Sequence, residues 1–370
     1  RMTQKNPRII SAGEGSVVVA WEDFRNGKNW DIYVQKISTH GEVLWDRLGI
    51  IVSTSKFNKS EVSLISDGAG GAILAWEEKR GESLSDIYAQ KINASGMPMW
   101  GERGMALCTS QNDQIDPVIC GDGNGGVVAA WVDYRNGLFN SDIFAQKLDK
   151  NGISKWKNRG IEVCTAPDTQ RSPAIVEAGS GSVIISWTDK GGGSYDIYAQ
   201  VLDASGVPKL TSDGIPVCQA PGTQRNPKMT RGADNRTIIV WNDFRNANWD
   251  IYAQSMSLSG ELQWDESGLP VCTAPLTQYS PQLVGSDSAT IFAWEDYRNA
   301  ESYNIYAQKV DAAGNMMWEP NGSLVSAGGD GKRNPCIAKS GTGGAVIAWE
   351  DYRSGGPGIY AQKIKVIKLE

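Results

Sequence analysis

The chain has 370 residues, 36 of them Lys or Arg and 42 Asp or Glu, giving a formal net charge of −6. No run approaches the roughly 18 to 20 consecutive apolar residues of a membrane helix, and no basic stretch interleaved with aromatics offers a nucleic-acid track. Membrane insertion and nucleic-acid binding are therefore not expected. A single histidine, His40, removes most imidazole-dependent zinc and nucleophile chemistry, so no metal, cofactor or catalytic residue is expected.

A Trp followed two residues later by an acid recurs along the whole chain, at Trp21, Trp76, Trp131, Trp187, Trp241, Trp294 and Trp349, with spacings of 53 to 56 residues. Such a period marks a repeat architecture. The units fall at about 5-55, 58-111, 113-167, 169-221, 223-275, 277-328 and 331-370.

The third unit shows the elements in order. A first strand over Asp116–Cys120 ends at the turn Asp122-Gly123-Asn124-Gly125-Gly126. A second, Val127–Trp131, is apolar at consecutive positions, as a strand buried on both faces must be. A third spans Asp142–Leu148, and the turn Asp149-Lys150-Asn151-Gly152 leads to a fourth that carries Trp156 and runs on to Cys164. Four-stranded antiparallel sheets repeated seven times describe an all-β, seven-bladed β-propeller in a single domain. Seven full periods need more residues than the chain has, so the last blade is expected to lack its outer strand, either as a three-stranded blade or with the missing strand supplied from sequence upstream of Arg1. Opening on Arg1-Met2-Thr3-Gln4 with no apolar leader, the chain reads as one monomeric domain of a larger protein.

Five units carry an Asp and an Arg at alternate positions after the anchor Trp: Asp23 and Arg25, Asp133 and Arg135, Asp243 and Arg245, Asp296 and Arg298, Asp351 and Arg353. Glu78 and Arg80 are a near copy, while the fourth unit has Asp189 but Gly191. An arrangement repeated so often reads as a structural ion pair closing the second hairpin. Asp67–Gly71 and Asp122–Gly126 are hairpin turns rather than phosphate loops, since no helix follows them. The acidic loops match no EF-hand spacing, so calcium stays an open alternative. The six cysteines stand in separate blades or registers and read as buried small hydrophobes, not disulfides.

Through its repeats, Trp-Glu-Asp-Tyr-Arg-Asn, then Asp-Ile-Tyr-Ala-Gln-Lys, then Val-Cys-Thr-Ala-Pro, the chain resembles a family of bacterial secreted or cell-surface propeller proteins. That resemblance implies an exported protein, and because the chemistry-capable residues mostly obey the repeat, a non-catalytic binding or adhesion module is expected. A looser similarity links it to the sialidase superfamily, in which an Arg two residues before a first-strand Pro binds the sugar carboxylate. Arg171, Arg225 and Arg333 echo that feature, with Lys5 a variant. The alternative this implies is a sialidase-like glycoside hydrolase, although no distinct pair of acid and base groups stands out for it.

Two loop sets at one end of a propeller break the uniformity of the repeat. The blade-joining loops carry Lys5, Arg171, Arg225 and Arg333, and the second-to-third-strand loops carry Trp30, Tyr195, Trp249 and Tyr303. Guanidinium forks and aromatic faces at the channel mouth suit a glycan or protein ligand, an acidic one above all. The competing expectation is that the cations pair with acids of neighbouring blades and the aromatics cover loop backbone.

Overall fold

The computed structural model describes residues 3–81, 84–286, 288–328, 331–341 and 343–364. Its strands form seven antiparallel sheets, six of four strands and the last of three. No helix occurs among the described residues, and the architecture is the seven-bladed β-propeller expected from the repeat. Two compact units divide the chain, one of Arg1–Ile185 with Leu202–Asp213 and the other of Ser186–Val201 with Gly214–Glu370.

The first unit holds blades one to three and part of blade four. Blade three consists of Gln114–Gly121, Val127–Asp133, Asp142–Leu148 and Ile161–Cys164. Every residue of Val127–Asp133 is buried, which is why the sequence is apolar at consecutive positions there. Trp156 stands ahead of the fourth strand rather than in it. Its backbone N–H donates to Gln146 Oε1 at 3.2 Å, outside any ladder, and Gly160 then closes a turn onto the Lys157 carbonyl. A Cβ at Gly160, where φ is +93°, would lie 2.7 Å from Trp131 Cη2, so only glycine fits.

One apolar core joins blades one and two through Ile32, Val34, Val62, Leu74 and Trp76, and another joins blades two and three around Ile87, Leu107 and Trp131. Trp76 and Trp131 are fully buried. Each removes roughly 200 Å² from water, worth several kcal/mol at about 25 cal/mol per Å².

The second unit holds the rest of blade four and blades five to seven. Trp241 and Trp294 are again fully buried, and Trp294 packs with Val240, Ile251, Val271 and Phe292 across blades five and six. Blade six comprises Gln278–Gly285, Ala289–Asp296, Asn304–Asp311 and Ser323–Ser326. Blade seven comprises only Lys332–Ser340, Gly344–Asp351 and Gly358–Ile364. The question of a fourth strand over 365–370 lies outside the described residues.

One local feature was not read from the sequence. Each first strand carries a non-glycine residue at positive φ, namely Asn6, Glu61, Asp116, Ser172, Asn226, Ser280 and Asn334. Where strand pairing is described, the ladder shifts register at this point, for example between Arg225 and Lys228 and between Arg333 and Cys336. A β-bulge explains the Pro that follows in six blades, because the bulged segment leaves a position with no ladder donor to supply. The side chain after an anchor Trp then reaches the bulge of the following blade. Glu77 Oε1 accepts from Asp116 N at 2.8 Å, Thr188 Oγ1 from Asn226 N at 3.1 Å, and Glu295 Oε1 from Asn334 N at 2.8 Å.

All six cysteines are free, and five are buried. Cys336 is exposed, which corrects the expectation of burial. At its register place, directly after the first-strand Pro, Arg8 and Lys228 are exposed too, whereas Ala174 is buried there.

Candidate functional site

Strand polarity brings the start of strand one, the end of strand two, the start of strand three and the end of strand four to one end of each sheet. In blade three, Asp133 pairs with both Gln114 and Asp142, and Ile143 with Cys164. Every candidate residue stands at that end of its sheet.

The Asp–Arg element is built into the blade there. Arg135 Nη2 lies 2.5 Å from Asp133 Oδ2, Arg245 Nη2 2.6 Å from Asp243 Oδ2, and Arg298 Nη2 2.6 Å from Asp296 Oδ2. Arg25 is 2.6 Å from Asp23, and Arg353 pairs with Asp351 in the same way. The anchor indole donates to the same carboxylate, as from Trp131 Nε1 to Asp133 Oδ2 at 2.8 Å and from Trp241 Nε1 to Asp243 Oδ2 at 2.9 Å. The guanidinium lies over the aromatic ring of strand three, 3.7 Å from Phe144 for Arg135 and 3.9 Å from Tyr252 for Arg245.

The guanidinium groups of Arg135, Arg245 and Arg298 also donate to a carbonyl just before the strand-four glycine, at Arg159, Ser267 and Asn321, and to a cysteine of the preceding blade, at Cys108, Cys218 and Cys272. A group saturated in this way holds loops and adjacent blades together. In blade two the longer Glu78 turns to Ser55 Oγ at 2.8 Å, and Trp76 Nε1 is left buried without a hydrogen-bond partner. Arg80 pairs instead with Asp86 at 3.0 Å. In blade four Gly191 has no guanidinium but keeps the backbone bond, its N–H donating to Asp189 Oδ1 at 2.7 Å as Arg135 N does to Asp133 Oδ1 at 2.9 Å.

The eight proposed ligand residues fall into separate groups. In the first unit Lys5 lies 4.2 Å over the Trp30 ring and 3.4 Å from Glu22 Oε2. In the second unit Arg225 stacks on Trp249 at 4.1 Å and donates to the Tyr279 hydroxyl at 3.2 Å. Arg333 lies 3.7 Å over Tyr303 and pairs with Glu295 of blade six at 3.3 Å. Arg171 is exposed at the start of blade four's first strand, and Tyr195 is half-buried just ahead of its third. The backbone carbonyls of Trp30, Tyr195, Trp249 and Tyr303 each accept from the first strand of the following blade, at Lys59, Gln224, Gln278 and Lys332. These aromatics therefore also mark the seams between blades.

A cavity of about 660 Å³ opens beside Arg333 and Tyr303, lined also by Tyr297, Asn299, Glu301 and Asn304. It forms where the repeat breaks. In blades one, three and five an Asn side chain after the Arg clamps the Asp that starts strand three: Asn26 to Asp31 at 2.7 Å, Asn136 to Asp142 at 2.7 Å, and Asn246 to Asp250 at 2.8 Å. Blade six has Asn304 at the Asp position, and among the described residues no such bond joins Asn299 to it. Asn304 is 2% exposed, and its Oδ1 is buried with no hydrogen-bond partner. Tyr297 and Tyr303 form a tilted pair beside it, with ring centroids 4.9 Å apart.

Tyr303 and Arg333 were legible in the sequence, whereas Asn299 and Asn304 were missed. Their signal was the single Asn in the Asp-Ile-Tyr register. Also missed was Phe139, 94% exposed at the tip of blade three's second-to-third-strand loop.

Burial sets the titration of several carboxyls at this end of the sheets. It pushes Asp142 and Asp196 up to about 6, and Glu77 to about 7. For Glu77 the Asp116 N–H opposes the rise, while the charges of Asp116 and Glu61 add to it. Asp351 is held well below the usual carboxylate range by its bond from Arg353. Among the described residues no group of three or more His, Cys, Asp or Glu is placed to hold a metal ion. No described helix is long and apolar enough to cross a membrane.

No protein-family model matches the chain, and no curated protein matches it. Solved structures share its fold. A protein of unknown function from Dyadobacter fermentans DSM 18053 aligns at 11% identity and a TM-score of 0.53, over 83% of this chain and 94% of that one. The polysaccharide lyase Uly1 aligns at 10% identity and a TM-score of 0.57, over 97% of this chain and 89% of that one. A Hadza microbial sialidase, Hz136, aligns at 11% identity over 92% of this chain and 74% of that one, with a TM-score of 0.45. At these identities the likeness to the first two is one of fold.

Proposed function

We propose that this propeller is a non-catalytic carbohydrate-binding module, exported to the cell surface or medium, and that the blade-six cavity holds a sugar ring bearing a carboxylate. The observation that carries this reading is Asn304. A buried amide oxygen without a donor costs about 1 to 3 kcal/mol, and a ligand hydroxyl arriving there would satisfy it. The tilted Tyr297 and Tyr303 rings offer apolar faces of the kind that cover sugar C–H groups. Arg333, its side chain 46% exposed, presents a planar donor fork to a carboxylate. The fold is also one that a polysaccharide lyase uses, which supports a carbohydrate ligand without assigning chemistry to it.

Against catalysis stands the use already made of the acids. Glu295 is engaged by Arg333 and by Asn334 N, and Glu77, whose carboxyl titrates near neutrality, accepts Asp116 N at a blade seam. Hydrolysis needs two carboxyl or phenol groups poised on one bond. A glycan array probed with wild type, Arg333→Ala and Tyr303→Ala tests the reading. Binding of uronate- or sialate-bearing glycans, lost in both variants, is the expected result. Equal binding by all three proteins, or turnover of an aryl glycoside abolished by changing one acid, would overturn it.

A further inference from the structure

Blade seven carries the fittings for a fourth strand. In five complete blades the strand-three Gln clamps the segment ahead of strand four. Gln90 Nε2 donates to the Gly101 carbonyl at 2.6 Å while its Oε1 accepts from Trp100 N at 2.8 Å, and Gln308 does the same with the Glu319 carbonyl at 2.8 Å and Trp318 N at 3.1 Å. The corresponding Gln362 is exposed, and its amide donates only to the adjacent Lys363 carbonyl, at 3.2 Å.

Arg353 is in the same position. Arg135, Arg245 and Arg298 each donate to the carbonyl before the strand-four glycine and are 13 to 18% exposed, whereas the Arg353 side chain is 40% exposed. Ala361 is exposed, although Ala89, Ala145, Ala253 and Ala307 at the same register are fully buried. Beside this edge runs a groove of about 560 Å³, walled by Trp318, Leu324 and Val325 of blade six and by Gln362 and Ile364 of blade seven.

We infer that this groove is a strand-acceptor site, and that its occupant is an extended peptide segment with the repeat's own fourth-strand pattern, Trp-x-x-x-Gly-apolar-x-Val-Cys/Ser. The pattern is read from Trp156–Cys164 and Trp264–Cys272, with near copies at Trp45–Ser53 and Trp100–Cys108. Each part has a receptor. Ladder pairing in blade three, Ile143 with Cys164, Phe144 with Glu162 and Ala145 with Ile161, assigns the incoming residues to Ile359, Tyr360 and Ala361. The glycine would face Trp349 as Gly160 faces Trp131 and Gly322 faces Trp294. Gln362 would then bond the link carbonyl and the incoming Trp N–H, and Arg353 the carbonyl before the glycine. Main-chain pairing supplies affinity and the Trp and Gly positions supply specificity, as in other strand-addition sites. The inference is independent of the glycan reading, because it concerns the outer edge of blade seven.

The test is titration of the full chain with a fluorescent synthetic peptide of residues 153–165, with Cys164→Ser to prevent oxidation. The expected result is saturable one-to-one binding that raises the thermal midpoint. Affinity should fall about tenfold or more when the peptide carries Gly160→Ala, and again when the protein carries Gln362→Ala. The latter side chain is exposed and its loss leaves the free fold intact. No saturable binding at millimolar peptide, or equal binding of a scrambled peptide, would overturn the inference. So would a concentration-dependent dimer of the free chain that the peptide does not dissociate, since the edge would then belong to a second copy.

Discussion

Glu77→Gln is expected to stabilise the protein at alkaline pH and to do nothing in mild acid. Glu77 is 6% exposed, its Oε1 accepts Asp116 N at 2.8 Å, and no cation stands within ion-pair distance among the described residues. Burial therefore raises its carboxyl from 4.5 to about 7. A group raised on folding favours the folded state while protonated. That contribution is whole below the unfolded value and is lost as pH climbs through about 7. At about 1.4 kcal/mol per pKa unit, the interval bounds the penalty at pH 8.5 to about 3 kcal/mol. Glutamine keeps an acceptor for Asp116 N and carries no charge. The variant should gain about 1 to 3 kcal/mol at pH 8.5, roughly 2 to 4 °C in Tm for each kcal/mol, and match wild type at about pH 4, below the unfolded value. Calorimetry at the two pH values decides it. A variant less stable than wild type at pH 8.5, or one with the same offset at both, would refute the argument.

Glu78→Asp restores the carboxylate that Trp76 Nε1 lacks and should raise stability by about 1 kcal/mol in urea unfolding; a loss would show that the Ser55 contact matters more. Asp243→Ala removes the shared acceptor of Trp241 and Arg245 and should cost about 3 to 5 kcal/mol, measured by the same unfolding curves. Under native conditions one thiol of six, Cys336, should react rapidly with an alkylating reagent. Burial pushes Cys218 to about 11 and Cys272 to about 12, so labelling of either, read by mass spectrometry, would contradict their assigned environment.

The blades were legible because each anchor Trp, turn and doubly buried strand repeats, and seven copies of one pattern outweigh the ambiguity of any short apolar run. The bulge was not legible. Asp116 and Asn334 look like ordinary residues before Pro, and their bulge N–H groups are held by an acceptor from the preceding blade some 40 residues away, Glu77 and Glu295. The Asp–Arg element was visible as a motif, but its hold on the preceding blade's cysteine needed three dimensions. At the ligand site the sequence showed aromatics and cations that depart from the repeat. It hid Asn304, because an Asp-to-Asn change looks conservative until the clamp from the neighbouring Asn is seen to be missing.

The most direct test of the central claim is calorimetric titration of an acidic glycan identified on the array into wild type and Asn304→Asp. The substitution returns blade six to the repeat, so Asn299 should clamp the new carboxylate as Asn136 clamps Asp142, filling the cavity's vacant acceptor and placing a negative charge against an acidic ligand. The account predicts that the variant folds as stably as wild type and binds at least about tenfold more weakly. Unchanged affinity in a folded variant would contradict it.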